Sequence, residues 1–168
     1  MSPMAWVFSL SATMFSATRI DNVRLVSMRP GAPAVQLGHS VLVEGDRITA
    51  IGPAPALPTP PDARIVDGGG QTLLPGLIDA HVHVWDESEL AGYLAHGVTS
   101  VRNMSGMPFH QPLAARIAGG RILGPDLLTT GPILNSPGPN EQANHQLVTT
   151  AEEARAAVQR QHAAGYRT

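Results

Sequence analysis

The alternation of strand-like and helix-like stretches after Gly68-Gly-Gly70 constrains this chain more than any other feature. Thr72 to Val84 contains a first strand, Glu87 to His96 a short helix, and Val98 to Val101 a second strand. Pro112 to Ala118 reads as a second helix, with Leu113 and Ile117 on one face. Asp126 to Thr130 reads as a third strand. Thr150-Ala-Glu-Glu153 fits a capping box, in which the Thr hydroxyl and the Glu carboxylate satisfy free N–H groups at a helix start. In that third helix Ala154 and Val158 share a face, and Gly165 suits its end. Tyr166 to Thr168 would open a fourth strand. Strands that alternate with helices form parallel sheets joined by right-handed crossovers. Periodicity alone leaves a partial barrel and a doubly wound sheet both open. No G-x-G-x-x-G follows a strand, which argues against a dinucleotide site.

The residues before the triple glycine have a different texture. Ile20 to Val26 is rich in β-branched residues. Ser40 to Glu44 and Arg47 to Ile51 flank Gly45-Asp46, a hairpin signal because glycine accepts the positive φ of a tight turn. Gly52 to Pro61 holds five prolines, too many for a helix or a central strand. Arg64 to Asp67 is a further short strand. The expectation is a small, mostly antiparallel β module over 19–70, followed by an α/β part over 71–168.

Ahead of both, residues 1–18 form an apolar leader. Its stretch Ala5 to Ala17 resembles the middle of a signal peptide but lacks the preceding Lys or Arg. A disordered leader, or a true start at Met14, explains it as well. Localisation follows: cytoplasmic, or exported if the leader acts as a signal. The leader is too short and too rich in Ser and Thr to span a membrane, so no stable membrane insertion is expected.

Composition narrows the chemistry. The net charge is −2, and all 11 basic residues are scattered Arg, which excludes the basic patch of a nucleic-acid binder. There is no cysteine, so any metal must be held by His and carboxylates. Seven His in 168 residues make that question concrete.

The informative cluster is Asp79-Ala-His81-Val-His83. Side chains two apart on a strand point to one side. Asp79, His81 and His83 should therefore share a face, with Ala80, Val82 and Val84 on the other. Two imidazoles on one face can bind a single ion, and the strand orders them before the ion arrives. In α/β barrels the C-terminal strand ends form the active-site face.

The longer segment Leu74-Pro-Gly-Leu-Ile-Asp-Ala-His-Val-His83 resembles the signature of the amidohydrolase superfamily, in its imidazolonepropionase- and prolidase-like branch. Val43 to Gly52 resembles the family's N-terminal hairpin, Val66 to Pro75 its linker, and Gly97 to Arg102 its second barrel strand. The resemblance implies an α/β fold: a partial (β/α)8 TIM barrel, its first three β-α units preceded by a small β-sandwich portion. It implies one or two divalent metals, usually zinc, with His81 and His83 matching the first two ligands. Asp79 matches a position that would orient a ligand His. The implied reaction is hydrolysis of C–N bonds of a small-molecule substrate by a metal-activated water. A full-length protein of this kind is compatible with a homo-oligomer.

The departures from the pattern matter. The branch takes further ligands from a carboxylated lysine, later His residues and an Asp general base. This sequence has no Lys, and none of its residues is assigned as the general base. Asn103 stands where relatives often carry Asp. Two imidazoles hold zinc poorly without a third ligand, so the chain alone is expected to be inactive. One expectation is a natural protein that continues past Thr168. Another is a non-catalytic remnant or split half needing a partner chain, and a third is a metal- or ligand-binding α/β module.

Other candidates carry less. His39, His96, His110, His145 and His162 fall in loops, turns or helix ends, where an exposed or helix-terminal His is the ordinary expectation. His145 is the exception, in a loop after the third strand that would help shape a substrate pocket. Arg102 ends the second strand and could face the same pocket. Asp86 and Glu87 suit a helix start without catalysis, and Trp85 is expected in the core.

Overall fold

The computed structural model describes residues 16–167. Most of the leader, residues 1–15, and Thr168 lie outside the described residues. Two compact units divide the chain, Met1–Pro75 and Gly76–Thr168.

The first unit is one five-stranded sheet built from β1 (Ala17–Leu25), β2 (Gln36–Glu44), β3 (Arg47–Pro53), β4 (Arg64–Asp67) and β5 (Thr72–Leu73). Its order is β3-β2-β1-β4, with β5 also against β1. The expected hairpin joins β2 to β3 through Gly45, at φ +60°. The expected antiparallel module is half parallel, however, because β4 and β5 both run with β1. The proline-rich stretch is the cause. It forms no tight turn and carries the chain across to the far side of β1, where β4 must run the other way from a hairpin partner. Arg19, 8 % exposed, pins that stretch by donating to the carbonyls of Ala54 and Leu57 at 2.8 and 2.7 Å while pairing with Asp21. Ala17, Val23, Leu25, Val41 and Leu42 form the apolar core of this sheet.

The second unit holds a parallel sheet, β6 (Leu77–Val82), β7 (Val98–Asn103) and β8 (Asp126–Thr129), in that order. The stretch Thr72 to Val84 contains the expected first strand of this series, β6, with the short β5 ahead of it. Pro75, which has no N–H for a ladder, separates β5 from β6. A 3-10 turn, Glu87–Glu89, leads into α1 (Leu90–Ala95), and α2 (His110–Ala118) follows β7. Helix α2 begins two residues before its expected start, with Pro112 in a first turn whose N–H groups need no helical partner. Val82, Val84, Leu90, Val101, Leu113 and Ile117 form the core between sheet and helices. Fully burying one such side chain stabilises by roughly 1.5–3 kcal/mol.

Beyond β8, the short parallel pair β9 (Leu134–Asn135) and β10 (Gln146–Leu147) brackets a loop. Helix α3 (Ala151–Ala163) then starts with both bonds of the capping box in place. Its buried position is Ala157, whereas Val158 is 49 % exposed. The packed face is therefore Ala154–Ala157–Gln161, where Gln161 donates to the carbonyl of Pro132. Tyr166 and Arg167 form no strand, although the Arg167 N–H donates to the Thr129 carbonyl beside β8. No helix among the described residues is long and apolar enough to cross a membrane.

Candidate metal centre

His81 and His83 leave the carboxyl-terminal end of β6 on one side. Their ring centroids are 5.3 Å apart with planes at 79°, and both residues are exposed. Between and after them, Val82 (6 % exposed) and Val84 (1 %) turn into the core. The strand's two-residue period produces this: apolar residues anchor one face and leave the imidazoles on the other. Trp85 continues the outward row, 55 % exposed and 6.4 Å from the His83 ring, rather than entering the core.

Asp79 departs from that row. It lies across from Val101, while Val82 lies across from Asn103, so three steps along β6 match two along β7. This irregularity breaks the alternation and sets Asp79 beside buried Val101 rather than with the imidazoles. Its carboxylate accepts the backbone N–H of His81 at 3.1 Å, not a ring N–H.

Arg102 alternates with buried Val101 and Asn103, which puts it on the imidazole side of the sheet. It makes no ion pair among the described residues. A groove of about 560 Å³ is lined by Arg102, Ile78, Ala80 and Leu128 together with Ala114 and Ala118 of α2, and by neither His81 nor His83. His145 is half-buried, its Nδ1 3.1 Å from Asn135 Nδ2 across the β9–β10 loop. Asp86 caps the 3-10 turn through the Ser88 N–H at 2.8 Å, the Ser88 hydroxyl and then that N–H hold its carboxyl below the usual range, and Glu87 pairs with Arg116.

Two His residues add to the expectation of an exposed or helix-terminal ring. His39 sits within β2, half-buried. His110 is fully buried at the start of α2. Its Nε2 lies 2.7 Å from the Val84 carbonyl oxygen, and its Nδ1 accepts the Met107 N–H at 2.8 Å. A carbonyl only accepts, so Nε2 bears the proton and the ring is the neutral Nε2–H tautomer. Burial pushes its pKa down. Asn103, also fully buried, accepts the Val84 N–H at 3.0 Å and donates to Ser105 O and Thr129 Oγ1 at 3.1 and 3.0 Å. A side chain on Gly106 would strike the Thr130 carbonyl, so the loops after β7 and β8 meet closely above this network.

As metal ligands the two imidazoles fit in part. They are adjacent, exposed and of the donor type that zinc and its neighbours take. No group of three His, Cys, Asp or Glu residues able to hold an ion occurs among the described residues.

Fold and site together define a class: an α/β protein with paired imidazoles at the carboxyl end of a parallel strand. No family model matches the chain. It is similar to an imidazolonepropionase from Arthrobacter sp. (strain FB24), 38% identical over 68 residues, or 40% of this chain and 16% of that protein. It is also similar to an enamidase from Eubacterium barkeri, 40% identical over 70 residues, 41% of this chain and 18% of that protein. Among solved structures, a putative prolidase from Bifidobacterium longum aligns with a TM-score of 0.71 and 26% identity, over 90% of this chain and 39% of that one. A prolidase complexed with N-methylphosphonate-L-proline shares the fold, with a TM-score of 0.73 over 89% of this chain and 45% of that one. Over this partial coverage, the chain is similar in sequence to an imidazolonepropionase and an enamidase, and in fold to prolidases. It spans less than a fifth of these curated relatives and less than half of these solved chains.

Proposed function

We propose that this chain forms part of a metal-dependent hydrolase acting on C–N bonds of a small-molecule substrate. The observation that supports this most is the imidazole pair, exposed together where β6 ends. His81 and His83 would be two ligands of a divalent ion, zinc by donor chemistry, in a centre of one or two ions. Further ligands would come from residues outside this set. When bound, such an ion lowers the pKa of water and polarises a carbonyl. The chain's own residues hold the imidazoles at a fixed spacing and keep Val82 and Val84 packed beneath them. Asp79 would act on the backbone of His81, fixing the strand end rather than a ring. Arg102, on the imidazole side, and His145, in the loop after β8, would shape the substrate pocket.

In this proposal the three strand–helix units are the start of a (β/α)8 barrel, and the five-stranded sheet contributes to a β-sandwich. The chain by itself holds zinc weakly and does not turn over substrate, because catalytic sites normally use three protein ligands plus water. Titration of the purified chain with zinc tests the ligand role: weak binding is expected, and it should vanish in His81→Ala and in His83→Ala. Binding untouched by both substitutions would remove the imidazoles from the site. Turnover of amide, lactam or dipeptide substrates by the chain alone, lost in His81→Ala, would overturn the proposed inactivity.

A further inference from the structure

Val84, the residue after His83, is held on both sides of its backbone by buried side chains. Its N–H donates to Asn103 Oδ1 at 3.0 Å, and its carbonyl accepts from His110 Nε2 at 2.7 Å. Asn103 and His110 are each fully buried. Each is itself over-determined. Asn103 donates to Ser105 O and Thr129 Oγ1, and His110 Nδ1 accepts the Met107 N–H with Asn103 Nδ2 3.4 Å away. No buried side-chain nitrogen or oxygen among the described residues lacks a partner. The network joins the carboxyl ends of β6, β7 and β8 to the start of α2.

An ordinary strand end would not need this. Among the described residues β6 is an edge strand, with β7 on one side only. Its assigned strand ends at Val82, so His83 and Val84 lie just past the regular ladder. Past that point the backbone has no sheet partner to fix its torsions, and the ring of His83 follows those torsions. Two buried side chains supply the two bonds that a neighbouring strand would otherwise make.

We propose that Asn103 and His110 are positioning residues that clamp Val84 and thereby fix the direction of the His83 ring relative to His81, which β6 itself holds. The pair acts through the backbone and touches neither ring. This rests on the proposed ligand role of the imidazoles only for its meaning. The geometry of the rings can be read without any ion.

Two near-isosteric substitutions separate positioning from packing. Glutamine can place an N–H donor near the site of the histidine Nε2, whereas asparagine is too short to reach the Val84 carbonyl and places its amide near the site of Nδ1. Both variants lose ring volume, so both lower Tm. The first readout uses metal-free protein: hydrogen exchange of the Val84 amide, and NMR contacts between the His81 and His83 rings. His110→Gln should keep the ring contacts and raise Val84 exchange less than threefold. His110→Asn should raise that exchange tenfold or more and average the ring contacts away. Asn103→Leu, which deletes the acceptor for the Val84 N–H, should do the same. The second readout is zinc affinity, expected within twofold of the parent for His110→Gln and at least fivefold weaker for His110→Asn. Ring contacts that persist in His110→Asn and Asn103→Leu overturn the clamp. So does a loss that tracks Tm equally in the Gln and Asn variants. If the parent chain binds no zinc, the ligand proposal fails, and the metal-free readout still decides the clamp.

Discussion

The two faces of the β6-β7-β8 sheet are made from the same strands and do opposite things. The face toward α1 and α2 holds Val82, Val84, Val101, Leu113 and Ile117, all buried, and the satisfied polar network of Asn103 and His110. The other carries the exposed His81 and His83, and Arg102 by strand alternation. Folding free energy resides on the first face, and the proposed ligand chemistry belongs to the second. Period-two alternation lets adjacent residues serve both without conflict. The lesson is that substitution should separate the two: one face should change stability and spare the rings, the other should do the reverse.

The largest effect belongs to the packed face. Leu90 is 1 % exposed and central to the core, so Leu90→Ala should cost about 2–5 kcal/mol, the lost transfer energy plus a cavity. Urea unfolding followed by circular dichroism measures it. A loss under 1 kcal/mol would mean the helix layer is not a close-packed face, and the contrast between the faces would collapse.

A second, smaller effect tests the network by pH. The His110 ring accepts the Met107 N–H at Nδ1, so a proton there would face a donor, and burial already holds the pKa below its ordinary value. The unfolded chain takes up that proton near pH ~6.5 while the folded chain does not. Protonation therefore favours unfolding: His110 adds no pH dependence above that value, and stability falls as pH drops below it. Comparing urea midpoints at pH 8, 6.5 and 5 in the parent chain and in His110→Gln isolates this term. The parent should lose more on acidification, and parallel losses would refute the neutral buried ring.

Much of this contrast was legible in the sequence, and the parts that were not have physical reasons. The alternation around His81 and His83 predicted one outward row and one inward row, and the rings follow it. Asp79 did not, because a register irregularity between strands depends on the partner β7 and leaves no mark in β6 itself. His110 is helix-terminal as expected, but its burial is not what a helix end alone suggests. It stands three and seven residues before Leu113 and Ile117, a helical spacing that puts it on their face. Asn103 likewise follows Val101 by two in a strand, the inward position, and polarity there signalled a bonded core group. The parallel partners of β1 were hidden because a proline-rich stretch says that a hairpin is absent but not where the chain goes. In α3, Ala157 is too small to stand out as the buried position.

The next effect sharpens the contrast from outside the sheet. Thr150 accepts the Glu153 N–H at 3.1 Å, while the Glu153 carboxylate accepts from the Thr149 hydroxyl and N–H at 2.7 and 2.6 Å. Thr150→Ala should lower stability by about 1 kcal/mol, as loss of an N-cap usually does. The bonds from Thr149 hold the Glu153 carboxyl below its ordinary value. Its contribution is thus present above the unfolded-state value and lost as pH falls through the folded one. Thermal melts at pH 7 and pH 3 should therefore show a Thr150→Ala penalty that shrinks in acid, and an unchanged penalty would separate Glu153 from the cap.

The smallest effect on stability is the one that matters most for the ligand face. His81 and His83 are exposed, and neither ring makes a hydrogen bond or ion pair among the described residues, so the double substitution His81→Ala, His83→Ala should shift stability by less than about 0.5 kcal/mol. The same protein should lose whatever zinc affinity the parent chain has. Edge-to-face contact between the rings at 5.3 Å is too weak at an exposed site to alter this expectation. A double variant that unfolds would show that the imidazoles belong to the packed structure after all. One that keeps its fold and its zinc affinity would move the site elsewhere. Unchanged stability with lost binding is the outcome that keeps the two faces distinct, because only a ligand pair is dispensable for folding and required for the ion.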